Sequence, residues 1–135
     1  RGGLPRDPAQ AVAWYRKAAE QNLPLAQLML ALSYATGRGV PRDDPQALRW
    51  FEQAADSGLV LAQYGLGMLY GAGRGVVQDL IKAHLWLSLA VSGGYVGAAQ
   101  PLDAIASQMS QVDLARARQL AREWQASSSQ ASRPN

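Results

Sequence analysis

The chain has no cysteine, one histidine and one phenylalanine among its 135 residues. Without cysteine there is no disulfide staple and no thiolate metal site. One histidine and scattered acids do not make a metal-ligand set either, so no metal and no other cofactor is expected. Charged residues are 17% of the chain, below the roughly 25% of an average soluble domain, which excludes a disordered acidic or basic polymer. The net charge is +3, too small to announce a nucleic-acid binder. No apolar run approaches the roughly 18 residues that would suggest a membrane span, and no basic start feeds an apolar segment as in a signal peptide. Ile and Val together number 10 against 24 Ala, which favours closely packed helices over sheet.

What the chain does have is an internal repeat. Residues 7–42 and 43–78 align at an offset of 36 without a gap, and 16 of the 36 positions are identical. The identities include Asp7/Asp43, Gln10/Gln46, Trp14/Trp50, Ala18/Ala54, Ala19/Ala55, Ala26/Ala62, Leu30/Leu66 and Tyr34/Tyr70. They end on Gly37-Arg38-Gly39-Val40 against Gly73-Arg74-Gly75-Val76. A third copy keeps Asp79, Ala83, Trp86, Ala90 and Gly94, then loses the Gly-Arg-Gly-Val loop. Composition alone does not generate a Trp in register at 14, 50 and 86. The fold is therefore a repeat architecture.

Each unit reads as two helices. Ala11, Trp14, Tyr15, Ala18 and Ala19 fall on one face of a helix, and Ala26, Leu30 and Tyr34 form a stripe on a second. Asp7-Pro8 and Asp44-Pro45 have the form of an N-cap followed by Pro at the first helical position, and Asp79 caps the third copy. Gly58 and Gly93-Gly94 stand where helices should stop. The expected helices cover about 9–21, 24–35, 45–57, 60–71, 79–92, 97–108 and 111–125. Pro101 delays the sixth towards Gln100. Ser110 and Asp113 open the seventh, which closes the array with a polar face. Residues 126–135 read as a Ser/Gln-rich tail, leaving 1–125 as the repeat domain with units at about 7–42, 43–78 and 79–109. Gly2 to Asp7 resembles Gly39 to Asp43 with its preceding Arg38. The expectation is a chain that opens inside a repeat of a longer protein, with at least one helix before it.

A 36-residue helix pair with a Gly-x-Gly-Val loop, Asp before the next helix and then Ala-x-x-Trp-Tyr/Phe-x-x-Ala-Ala resembles the Sel1-like repeat family, relatives of the tetratricopeptide repeat. The likeness covers about residues 1–125. It implies an all-α, α/α solenoid, a right-handed superhelix of helix-turn-helix units that serves as a scaffold or adaptor for other proteins. Many bacterial members act at the envelope, in signalling or in host contact, which favours an envelope or periplasmic place over the cytoplasm. The cysteine-stapled branch of the family is excluded.

Catalytic chemistry finds little footing. His84 aligns with Val12 and Leu48, as a helix residue at a partly buried position would, and it has no positioned nucleophile. The glycine loops are turns and not phosphate cradles, because no Lys-Ser/Thr follows them. The three repeated Trp read as core anchors between helix pairs. Arg38, Arg42 and Arg74, with Arg6, form a possible basic edge, although Asp43, Asp44 and Asp79 lie close by and favour a solvated edge. By resemblance to tetratricopeptide-type stacks, a concave face falls to positions that vary between copies. These are Leu25, Leu28 and Leu32, then Leu61, Tyr64 and Met68, then Gln100 and Ala104. The set carries no charge and suits a peptide or helix of another protein. The reading is thus a non-catalytic protein-interaction module, with no nucleic acid and no membrane insertion. The alternatives left open are a structural spacer, self-association through an exposed N-terminal Trp14 and Tyr15, or a regulatory domain joined to catalytic sequence elsewhere.

Overall fold

The structure is a computed structural model that describes residues 7–131, with side chains to residue 129. The helices are α1 (Pro8–Glu20), α2 (Pro24–Thr36), α3 (Asp44–Asp56), α4 (Val60–Ala72), α5 (Leu80–Ser92), α6 (Ala99–Ala106) and α7 (Gln111–Ala131), with a 3-10 turn, Val96–Ala98, before α6. No strand occurs among the described residues. From α1 to α5 each helix packs on the one before and the one after, and α5 also carries α6 and α7. This is the zigzag of an α/α solenoid.

Helix starts follow the repeated aspartates. The Asp7 carboxylate accepts from the Ala9 N–H at 2.9 Å, Asp43 from Gln46 at 3.1 Å and Asp79 from Lys82 at 3.0 Å. Each satisfies one of the amides that a helix leaves orphaned at its N-terminus. In α3 the cap is Asp43 rather than Asp44, so Asp44 becomes the first helical residue and its carboxylate is free for other work. Asn22, Gly58 and Gly94, spaced 36 apart, all have positive φ just past the ends of α1, α3 and α5. Asn is the non-glycine that best tolerates that conformation. Pro101 is the third residue of α6, where its missing N–H would have found no helical acceptor. The Ser110 hydroxyl accepts from the Asp113 N–H at 3.1 Å and opens α7. That helix continues through Ala131, so residues 126–131 extend it where a tail was expected, and residues 132–135 lie outside the described residues.

The core runs along the stack. Leu30, Leu66 and Leu87 are fully buried, each contributing about 2 kcal/mol of transfer free energy. Ala47, Ala54, Ala55, Ala62, Ala83 and Ala90 have no exposed surface, and their small size lets helices approach closely. Tyr34 and Tyr70 are buried with their hydroxyls used. Arg16 donates to the Tyr34 oxygen at 2.6 Å, whereas the Tyr70 hydroxyl donates to Glu52 at 3.4 Å. Arg16 and Glu52 share one repeat position, so the bond survives a reversal of charge by reversing its direction. Gln27 and Gln63 are buried as well, and each side-chain amide donates to the last-turn carbonyl of the preceding helix, Ala19 and Ala55. Burying an amide without such a partner would cost about 1–3 kcal/mol.

The long loops are folded back onto helix starts. A Cβ added at Gly75 would lie 2.6 Å from the backbone carbonyl of Asp44, and one at Gly39 would strike the carbonyl of Pro8. Backbone meets backbone there, so nothing flexible can yield. Gly75→Ala should therefore cost about 2–3 kcal/mol, combining positive φ with the clash. Gly58→Ala, also at positive φ but with nothing within 4 Å of the new Cβ, should cost only about 1 kcal/mol. Urea denaturation of the two variants beside the parent chain checks the ordering.

Candidate interaction surface

The eight apolar and neutral positions expected on one face occupy equivalent places on α2, α4 and α6, forming rows across the helices. One row is Leu32, Met68, Ala104 and another is Leu28, Tyr64, Gln100. The structure does not make a single surface of them. Leu28 is only 3% exposed and belongs to the core, because α2 is packed on both α1 and α3, so it is withdrawn from the site. Tyr64 is half-buried and meets Tyr95 edge-to-face at 5.0 Å. Leu61 is exposed. Leu25 borders an apolar hollow of about 430 Å³ with Tyr15, Leu23 and Met29, and Leu32 borders a small cleft of about 110 Å³ with Tyr15 and Arg38.

Met68, Gln100 and Ala104 do converge. They line a groove of about 440 Å³ between α4 and α6, with Gly67, Gly71, Leu87, Pro101 and Ile105 among its other walls. The row explains the opening, since its side chains shrink from Leu32 and Met68 to Ala104. On α4, Gly67 and Gly71 also replace the Ala31 and Ala35 of α2. No charged side chain lines the groove. Its walls are suited to an apolar side chain, with the Gln100 amide available to a peptide group.

The basic edge resolves into a clamp. Arg74 donates to Asp44 at 2.8 and 3.3 Å and to the Ala35 carbonyl at 3.0 Å, joining the loop after α4 to the start of α3 and the end of α2. Arg42 donates to the same carboxylate at 3.0 and 3.2 Å. Hydrogen bonds from Arg74 and then Arg42 hold the Asp44 carboxyl well below the usual carboxylate range. Arg42 and Arg74 thus spend their charge within the fold. Arg38 is exposed with no partner among the described residues, and Arg6 lies outside them. The clamp was not foreseen from the sequence. The signal for it was the Asp-Asp pair at 43–44, where the first copy has Asp-Pro.

His84 is buried, and burial together with the nearby Arg118 lowers its pKa, so it is neutral at pH 7. No cluster of three His, Cys, Asp or Glu residues that could hold a metal occurs among the described residues, and no described helix is long and apolar enough to cross a membrane. Trp50 and Trp86 are core residues as expected, at 5% and 8% exposure. Trp14 is not, at 62%, because no described helix covers its side of α1.

Helix pairs repeating every 36 residues, joined by glycine loops that dock on helix starts, define a solenoid of the tetratricopeptide-related class. Its family follows from comparison with known proteins. The Sel1 repeat matches residues 1–23, 24–59 and 60–95, and the chain belongs to the Sel1 repeat family. Sel1 repeats commonly serve as protein-interaction modules and are generally non-catalytic scaffolds. A protective antigen of uropathogenic Escherichia coli strains displaying an SLR fold is similar over 86% of the chain, with 31% identity and a TM-score of 0.84. A Sel1 repeat protein from Oxalobacter formigenes is similar over 69%, with 41% identity and a TM-score of 0.66. The chain spans 25% of the length of the first and 70% of the second. No curated protein matches it.

The clamp yields a pH signature. A carboxyl with a folded pKa below its unfolded value stabilises the fold at pH above about 4 and loses that contribution as pH falls. Asp44→Asn should lower unfolding free energy by about 1 kcal/mol at pH 7, and the gap to the parent should narrow as pH falls below about 4, closing only once the folded carboxyl itself takes up a proton. Denaturant titrations at pH 7 and pH 3 test this.

Proposed function

We propose that this chain is a non-catalytic adaptor that holds a peptide or helix of another protein on the concave side formed by α2, α4 and α6. The observation that carries the reading is the uncharged groove between α4 and α6, to which Met68, Gln100 and Ala104 contribute. One Leu or Phe side chain inserted there would contribute about 2 kcal/mol by burial. Its walls are helical and already packed, so little reordering opposes binding. The exposed Leu61 on α4 offers a second apolar contact on the same helix. Exposed Trp14 is what favours the alternative, self-association through α1.

A photo-crosslinking residue placed at exposed Gln100 should give a discrete protein adduct in source-cell lysate, and one at Arg116 on α7 should not. Ala104→Trp, which fills the groove from an exposed position, should abolish the Gln100 adduct while changing stability by no more than about 0.5 kcal/mol. An adduct that survives Ala104→Trp would remove the groove as the contact.

A further inference from the structure

The repeat position of His84 is apolar in the other two copies, Val12 and Leu48, and Val12 is buried. In α5 the place is taken by His84, itself only 6% exposed. Its Nδ1 is buried with no hydrogen-bond partner among the described residues. A neutral imidazole tolerates this, because one of its ring nitrogens is an acceptor that can go unused at modest cost. A protonated one does not. Both nitrogens then carry N–H groups that must donate, and a charge held away from water without a partner costs far more than a neutral group.

The elements packed on α5 offer no relief. Among titratable groups, α4 has only tyrosines and the 3-10 turn has none; α6 carries Asp103, α5 itself Lys82, and α7 Asp113, Arg116, Arg118, Arg122 and Glu123. Of these charges only Arg118 bears on the imidazole, and it repels the protonated form. Burial first, and then Arg118, lower the His84 pKa. The helix that brings Arg118 is also lightly held. It packs chiefly on α5, and among its described side chains only Leu114 and Ala117 are buried. Its Trp124 closes Trp86 edge-to-face at 5.9 Å and borders one hollow with Leu89.

We propose that α7 is a cover released by acid: protonation of His84 frees α7 from α5, which takes Arg118 away, lets water reach the imidazole and uncovers an apolar face at Trp86 and Leu89. Below about pH 6.5, the ordinary histidine value, the released form binds a proton that the closed form holds less readily. Falling pH therefore favours release, and rising pH restores the cover. This range lies above the pH at which the Asp44 clamp weakens, so α2, α3 and the loop after α4 stay joined while α7 leaves. No residue of α7 lines the α4–α6 groove, and the device is independent of it.

The test is amide hydrogen exchange of the full chain, read as protection factors so that the intrinsic pH dependence of exchange divides out. Protection of the central α7 amides should fall about fivefold between about pH 7.5 and about pH 5.5. These amides should stay less protected than those of α3, and their exchange should respond far less to low urea, as a local opening does. His84→Leu, which takes the residue of Leu48, should leave α7 equally protected at both pH values. Arg118→Glu, at an exposed position, should raise the imidazole pKa read by NMR titration and shrink the loss. Equal α7 protection in the parent at both pH values, or the same loss in His84→Leu, overturns the proposal. So do α7 amides that match α3 in protection and urea response, because α7 then opens only with the stack.

Discussion

The structure depends on one constraint, the close approach of each aspartate-capped helix to the helix before it. Ala47, Ala54 and Ala55 on α3 and Ala83 and Ala90 on α5 have no exposed surface. A larger side chain at any of them would push two helices apart. Everything else is arranged around that distance. The loops after α2 and α4 reach back far enough to rest on the starts of α1 and α3 only because Gly39 and Gly75 add no Cβ. Arg74 can touch both Asp44 and Ala35 only because α2 and α3 stay close. In a repeat protein such terms are nearest-neighbour energies, so each interface is written again at the next unit.

The groove follows from where the repetition is imperfect. Most side chains on which the copies agree are consumed by the interface, as Leu30 and Leu66, Tyr34 and Tyr70, Gln27 and Gln63 are, although Leu25 and Leu61 agree and stay exposed. Where they differ, surface is left over. The step from Met68 to Ala104 opens the groove, and Tyr64 turns to Tyr95 instead of lining it. At α1 the difference is one of neighbours and not of residues. Trp14 has the same identity as Trp50, but no helix among the described residues covers it.

The fold was largely legible in the sequence because a gapless 36-residue offset reports the period directly, and Asp, Pro and Gly punctuate it at fixed places. Helices α1 to α5 begin and end within one or two residues of the expected bounds. The site was less legible. Leu28 is a core residue, because periodicity identifies an apolar face but not how many neighbours share it. Trp14 has the sequence context of a core anchor, yet burial belongs to a pair of helices and not to one. Arg42 and Arg74 read as a solvated edge beside Asp43, Asp44 and Asp79, without the specific clamp on Asp44, since ion pairing over 30 residues of chain depends on the loop's return path. The length of α7 was missed because its last turns, rich in Ser and Gln, carry no apolar period to mark them.

Nearest-neighbour stacking has a consequence that amide hydrogen exchange reads helix by helix. Helices α3 and α5, covered on both sides, should open only with the stack, whereas α1, covered on one side among the described residues, should open by itself. Exchange at the central amides of α1 should be about tenfold or more faster than at the matching amides of α3, in the chain alone at neutral pH. Equal protection of α1 and α3 would contradict the account, because the cover of one helix by the one before it would then contribute nothing to stability.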